Sequence, residues 1–188
     1  MPKLVVSEWI TLDGVFDAAY MGTWHAPFHS DQRAAEIQRS IDNCGAILLG
    51  RKTYEMLAPY WNSFRNNEMG IAAKLNSAPK FVVSPNADPS LWENTTIIDS
   101  EPAAAILRLE SEPDDEILVL GSGTLCELLI STCLVDEFRF MIHPMFWGAG
   151  TRFFRDGLAS GTLRLERAVQ IEHGVQCLTY SPQSPTSG

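Results

Sequence analysis

Two short segments gather groups suited to holding an anion. Gly50-Arg51-Lys52-Thr53-Tyr54 sets two cations and a hydroxyl directly after the apolar run Ala46-Ile47-Leu48-Leu49. Where such a run leads into a helix, glycine lets the backbone turn sharply. The unpaired N–H groups of the first helical turn then favour negative charge. A phosphate is the natural guest, with Gly50, Arg51, Lys52 and Thr53 as its candidate binders. Leu120-Gly121-Ser122-Gly123-Thr124-Leu125 repeats the arrangement after Ile117-Leu118-Val119, and its two glycines leave amides uncovered for a diphosphate. It is not the dinucleotide fingerprint G-x-G-x-x-G, because Cys126 stands at the third glycine position. Taken singly, each junction is equally well an ordinary strand-to-helix turn.

These junctions need strands to precede them and helices to follow. Strand and helix patterns alternate through most of the chain, as in an α/β domain. Strands are predicted over Leu4–Ile10, Ala46–Leu49, Lys80–Val83, Thr95–Ile98 and Ile117–Leu120. Helices are predicted over Asp31–Asp42, from Lys52, over Glu68–Leu75, from Ser100 as N-cap to about Glu110, and after Gly123 with Leu125, Leu128 and Leu129 inward. From Val135 the pattern changes: Phe138–Ile142, Thr162–Ile171 and Val175–Tyr180 read as strands with no helix between them. The expected fold is α/β, a three-layer sandwich whose mostly parallel central sheet carries antiparallel C-terminal edge strands. One domain is expected over residues 1–181, with 182–188 a flexible Pro/Ser tail.

The 188 residues carry 14 Lys+Arg against 23 Asp+Glu, a net charge of −9, which argues against a nucleic-acid or anionic-membrane partner. Much of that charge is local. Residues 85–118 hold nine acids against the single base Arg108, so the phosphate end, drawing on Arg51, Lys52, Lys74 and Lys80, is free to be positive. No leader or membrane-length apolar run is visible, so a cytoplasmic protein is expected. Cys44, Cys126, Cys133 and Cys177 lack metal-ligand spacing and read as free thiols in apolar surroundings, and no metal site is expected. His25 and His29 read as solvated loop residues and His143 as a packing residue. Hydrolase, nucleotide-triphosphatase and zinc-protease motifs are absent from the sequence.

Taken together, Gly50-Arg51-Lys52-Thr53-Tyr54-Glu55, Val82-Val83-Ser84 and Gly121-Ser122-Gly123 resemble the cofactor elements of the dihydrofolate reductase fold. Leu12-Asp13-Gly14, Leu134-Val135-Asp136-Glu137-Phe138-Arg139, His143-Pro144 and Gly148-Ala149-Gly150 bring the similarity nearer to the branch containing the riboflavin-biosynthesis reductase domain. The resemblance spans residues 3–181 in order. It implies an NADPH-dependent reductase of a small, flat or heterocyclic molecule. Arg51 and Thr53 would meet the adenosine phosphate and diphosphate, Ser84 the adenosine side, and Gly121, Ser122, Gly123, Thr124 and Leu125 the diphosphate. The loop at Asp13 and Gly14 would close over the nicotinamide and substrate. A homodimer is also implied, and the run Phe138–Ile142, read as an edge, would gain from cover.

Dihydrofolate reductases place an acid on the first helix after a Trp-containing loop, which makes Trp24 a candidate substrate wall and Asp31 a candidate catalytic carboxylate. The spacing here is longer, however, and Ser30-Asp31 also reads as a helix cap. Asp13 is the other candidate acid, equally readable as an Asp-Gly turn. These departures argue against folate itself. Two alternatives stay open: a reductase-like scaffold without catalysis, and reduction of a phosphoribosylamino-uracil, which needs a basic cluster for the substrate phosphate.

Overall fold

The computed structural model describes residues 2–109 and 115–183. Eight strands form one sheet in the order β4-β3-β2-β5-β1-β6-β8-β7. They are β1 (Lys3–Thr11), β2 (Cys44–Gly50), β3 (Lys80–Val83), β4 (Thr95–Ile98), β5 (Glu116–Val119), β6 (Glu137–His143), β7 (Leu163–Gln170) and β8 (Gln176–Pro182). The helices are α1 (Ala18–Trp24), α2 (Asp31–Asp42), α3 (Arg51–Trp61), α4 (Ala72–Ser77), α5 (Pro102–Leu107) and α6 (Gly123–Ser131).

The apolar runs are continuous because their strands are covered on both faces. Ile47 and Leu49 of β2 pack with Ile41 of α2, Tyr54 and Ala58 of α3 and Leu75 of α4. Leu48 faces the other way, with Ile106 of α5 and Leu125 and Leu129 of α6. The three layers follow from this division. Among the named strands of the described residues, the antiparallel pairs are β6 with β8 and β8 with β7.

Several expectations need correction. Strand β6 is not an edge: it pairs in parallel with β1 and lies between β1 and β8. The edge argument for a dimer therefore does not apply to Phe138–Ile142. Helix α5 is preceded by Glu101 at φ 43°, not by Ser100, whose hydroxyl turns to the Asp99 carboxylate at 2.9 Å. Proline at the first helical position fixes the boundary there. Residues 68–75 split into a 3-10 turn at Glu68–Gly70 and α4, because Met69 and Gly70 both take positive φ. Pro182 belongs to β8, paired with Leu163, while residues 184–188 lie outside the described residues. Cys133 is exposed, while the other three cysteines are buried. Of the acidic stretch, Glu110, Glu112 and Asp114 also fall outside the described residues, and Glu116 is held by Arg139 at 2.6 and 2.7 Å rather than solvated.

Lys80 is fully buried and unavailable to a phosphate. Its ammonium donates to the carbonyls of Asn76 (2.9 Å), Ala78 (2.8 Å) and Glu93 (3.1 Å) and lies over the Trp92 ring. Lys80→Met leaves these acceptors without their donor and is expected to cost about 2–3 kcal/mol of unfolding free energy in urea denaturation. A loss below about 0.5 kcal/mol would contradict this role.

Candidate active site

Strand β5 stops at Val119, while its neighbours run on, β1 to Thr11 and β2 to Gly50. A crevice opens beyond its carboxyl end, where open parallel sheets bind ligands. Leu120 and Gly121 cross the gap: Leu120 N–H donates to the Leu48 carbonyl at 3.3 Å, and Gly50 N–H donates to the Gly121 carbonyl at 3.2 Å. Gly121 takes φ 68°, a conformation that favours glycine. The crossing sets the N-termini of α3 and α6 side by side. Neither N-cap, Gly50 or Ser122, supplies a side-chain acceptor to its helix, so the first-turn amides remain available to an anion.

A cavity of about 510 Å³ opens onto this crossing. Lys52, Thr53 and residues 121–124 are part of its lining, where it meets the crossing. The body of the cavity is apolar and aromatic, with Trp9, Phe16, Ile37, Met56, Trp61 and Phe140 among its walls. Two residues passed over in the sequence lie here. Arg155, from the loop joining β6 to β7, pairs with Glu127 at 3.1 Å, and its Nε is buried without a partner. Its guanidinium lies so close to Gly123 that a Cβ there would stand 2.1 Å from Nη2. Glu8, on β1, is 6% exposed and also lines the cavity. Burial raises its pKa to about 8, although the Gly121 N–H and the Cys126 thiol (3.8 Å) donate to it and pull the other way. No local pattern marks Arg155. For Glu8 the available signal was an acid in the middle of an apolar strand.

The cavity's two other arginines are paired. Arg167 grips Glu36 through two hydrogen bonds (2.8 and 3.1 Å), and Arg139 grips Glu116 in the same way while donating to Glu137 at 2.6 Å. Glu36, not Asp31, is therefore the α2 carboxylate that reaches the cavity. Asp31 sits exposed in the first turn of α2, where Ser30 accepts the Arg33 N–H at 3.1 Å, so the capping reading applies.

Other predicted residues also lie elsewhere. The Asp13 carboxylate accepts N–H groups from Trp147 (3.0 Å) and Gly148 (2.9 Å) and the Thr11 hydroxyl (2.5 Å). Desolvation raises its pKa, but these bonds outweigh it and hold the pKa at about 2, so it is no proton donor near neutrality. It fastens the turn after β1 to the loop after β6, with Gly14 at φ 80° beside it. Trp24 is 1% exposed, its ring enclosed by His143 (5.0 Å) and His25 (6.0 Å), and it does not line the cavity. Leu125 is core, Ser84 follows β3 away from the cavity walls, and Arg51 is half-exposed with Glu55 3.9 Å away. Gly50 shapes the crossing, whereas Lys52, Thr53, Gly121, Ser122, Gly123 and Thr124 are brought together on the cavity itself.

His29 is exposed in its loop as expected, whereas His25 is half-buried, and both have a partner. They contact the buried Arg33 guanidinium through Nδ1 at 3.3 and 3.2 Å, and that guanidinium stacks 4.4 Å from the Trp9 ring centroid. His143 is fully buried, and desolvation lowers its pKa to about 4 despite its bond to the Ile10 carbonyl at 3.3 Å. A histidine depressed in this way contributes stability that is whole above about pH 6.5 and lost as pH falls toward about 4. The amount is about 3 kcal/mol. His143→Gln should remove that share of the acid sensitivity, as read from urea unfolding at pH 7 and pH 4.5. An unchanged slope between the two would count against it.

Among the described residues no helix is long and apolar enough to cross a membrane, and no group of His, Cys, Asp and Glu is arranged to hold a metal. The family model described as the RibD C-terminal domain matches residues 2–177. The Bacillus subtilis (strain 168) protein YyaP is 24% identical over 180 residues, covering 95% of this chain and 94% of its own. A putative riboflavin biosynthesis protein from Shewanella sp. PV-4 superposes with a TM-score of 0.73 at 17% identity, over 97% of this chain and 99% of its own. Dihydrofolate reductase from Enterococcus faecalis, solved with NADP(H), superposes with a TM-score of 0.64 at 13% identity, over 97% of both chains. The dihydrofolate reductase-like architecture expected from the sequence is thereby established.

Proposed function

The chain belongs to the RibD C-terminal domain family, and on that premise we propose that it is an NADPH-dependent reductase of a small, uncharged, ring-bearing molecule. The observation that carries this reading is the continuity of one cavity from a two-helix anion cradle to an aromatic chamber. The cradle suits the cofactor's diphosphate. It offers uncapped first-turn amides on α3 and α6, the Lys52 ammonium, the Thr53 hydroxyl and an Arg155 guanidinium with a buried, unpartnered Nε. Arg51, at the exposed start of α3, is left for the adenosine phosphate and Ser84 for the adenosine side. When bound, NADPH supplies hydride.

The chain's own contribution is placement and exclusion of water. Trp9 and Trp61 offer flat walls for a ring, while Phe16, Met56 and Phe140 keep the chamber apolar. Because Arg139 and Arg167 are already neutralised by Glu116, Glu137 and Glu36, the chamber lacks a free basic cluster among the described residues. That favours an uncharged substrate over a phosphoribosylamino-uracil. The net charge of −9 gives no support to a nucleic-acid or anionic-membrane partner, and a homodimer is the assembly the family resemblance implies.

Titration with NADPH, followed by calorimetry or quenching of tryptophan fluorescence, tests the reading. Binding in the micromolar range is expected, weakened about tenfold in Lys52→Ala and in Arg155→Ala, as loss of a charge-assisted phosphate contact implies. No binding up to millimolar concentration would overturn it.

A further inference from the structure

Three carboxylates line the cavity among the described residues: Glu8, Asp17 and Glu36. Asp17 accepts the Thr151 N–H and hydroxyl, and Glu36 is held by Arg167 and Arg39, so both are engaged by donors that stabilise charge. Glu8 differs. It projects from the centre of β1 toward the α6 face, with no cation paired to it among the described residues. Its contacts are the N–H of Gly121, on the crossing that forms the cradle, and the thiol of Cys126. Its partner across the ladder, Phe140, is apolar.

We propose that Glu8, the one cavity carboxylate with no cation or hydroxyl donor among the described residues, is the proton source of the reduction, giving its carboxyl proton to the acceptor as hydride arrives from the cofactor. This rests on the NADPH reading above. The acceptor carbon gains hydride, with both electrons of the broken C–H bond, from the cofactor, which leaves oxidised. The electron pair of the acceptor's double bond moves to its heteroatom, which takes the proton from the Glu8 carboxyl. Glu8 is left as a carboxylate and regains a proton from water once product and oxidised cofactor depart.

The place of Glu8 on the cavity wall beside the Gly121 crossing and its electrostatics agree on this role. Burial favours the neutral acid at rest, and its pKa near 8 leaves the proton in place at pH 7. An opposite charge arriving in the same poorly solvated cavity favours the carboxylate instead. The charged and titratable groups on the surrounding elements are Cys126 and Glu127 on α6, Arg155 from the loop after β6, Asp17 after β1, Lys52 on α3, Arg139 on β6, and Arg167 on β7 with its partner Glu36 on α2. Glu8→Gln leaves each of them in place and keeps an oxygen to accept the Gly121 N–H. The difference between the two proteins therefore isolates the Glu8 proton.

The linkage can be read without a substrate, from the affinities of NADP+ and NADPH measured by calorimetry at about pH 6 and about pH 9. In the wild type the preference for NADP+ over NADPH should rise by about tenfold or more across that range as Glu8 ionises. In Glu8→Gln it should stay constant within about twofold. The 2′-phosphate titrates in both nucleotides and cancels from the ratio. A second measurement needs no variant: adding NADP+ to wild type in weakly buffered solution at pH 7 should release up to about one proton, and adding NADPH much less. Binding of both nucleotides with equal pH dependence in the two proteins, or without proton release, overturns the role of Glu8 alone. Failure of either nucleotide to bind wild type overturns the cofactor reading and this proposal with it.

Discussion

Gly50→Ala is expected to cost about 1–3 kcal/mol of stability and to weaken NADPH binding by at least about a hundredfold, the larger effect arising because one methyl group dismantles both halves of the cradle. The backbone at Gly50 is not the obstacle, since φ −80° and ψ 154° suit any residue. The obstacle is the crossing chain: a Cβ would stand 2.1 Å from Ser122 Oγ, 2.9 Å from Ser122 Cβ and 3.2 Å from Ser122 N. The hydroxyl can rotate away, but the Cβ and the amide cannot. Residues 121–122 must then move outward, breaking the Gly50 N–H bond to the Gly121 carbonyl and parting the two helix N-termini. Thermal melting and NADPH titration would show both losses. The double variant Gly50→Ala with Ser122→Gly removes the two side-chain collisions and should recover much of each, a coupling that independent sites would not show. Wild-type affinity in the single variant would refute this account of the crossing.

The second large effect runs in the opposite direction. Glu8→Gln is expected to stabilise the protein by about 3 kcal/mol at pH 7 and by more at pH 8–9. The folded-state pKa is raised from 4.5 to about 8, with burial the dominant cause. Over that window the folded protein holds a proton that the unfolded chain gives up, so stability from this group is whole below about pH 4.5 and falls as pH rises toward 8. The loss is about 1.4 kcal/mol per pH unit. Glutamine has no proton to hold and escapes the loss. Urea unfolding at pH 5 and pH 8.5 should give nearly equal stabilities for the two proteins at the lower pH and a clear advantage for the variant at the higher. Equal stabilities at both values would mean that Glu8 ionises in the fold as it does in water. A stabilising change at a cavity-lining acid would fit a residue retained for its chemistry rather than for its contribution to the fold.

Much of the architecture was legible because it depends on local pattern. The turn-bounded runs at Ala46–Leu49 and Ile117–Leu120 could hardly be other than strands buried on both faces, and α2 spans the predicted Asp31–Asp42. Gly50 and Gly121-Ser122-Gly123 stood out because turning out of a strand into a helix restricts residue type at the turn itself. The roles of the carboxylates stayed open in the sequence for a related reason. Asp13-Gly14 looks like a turn or a site, and the choice between them is made by amides 134 and 135 residues away. Asp31 and Glu36 both lie on α2, and only the packing of that helix against the sheet turns Glu36 inward. Trp24 read as packing or as a flat substrate wall, and His143 and His25 around its ring decide for packing.

What the sequence determined by itself was the succession of strands and helices, the two glycine turns and the cations beside the first, all properties fixed within a few residues by backbone sterics and hydrophobic period. What only the tertiary structure decided was the sheet order and, through it, the chemistry. Placing β1 between β5 and β6 is what buries Glu8, brings Gly121 to its carboxyl and carries Arg155 over Gly123. Burial and charge environment are sums over groups distant in the chain. The same glutamate would be an ordinary ionised side chain on an exposed strand, and its pKa is raised here because β6, the Gly121 crossing and α6 close around it.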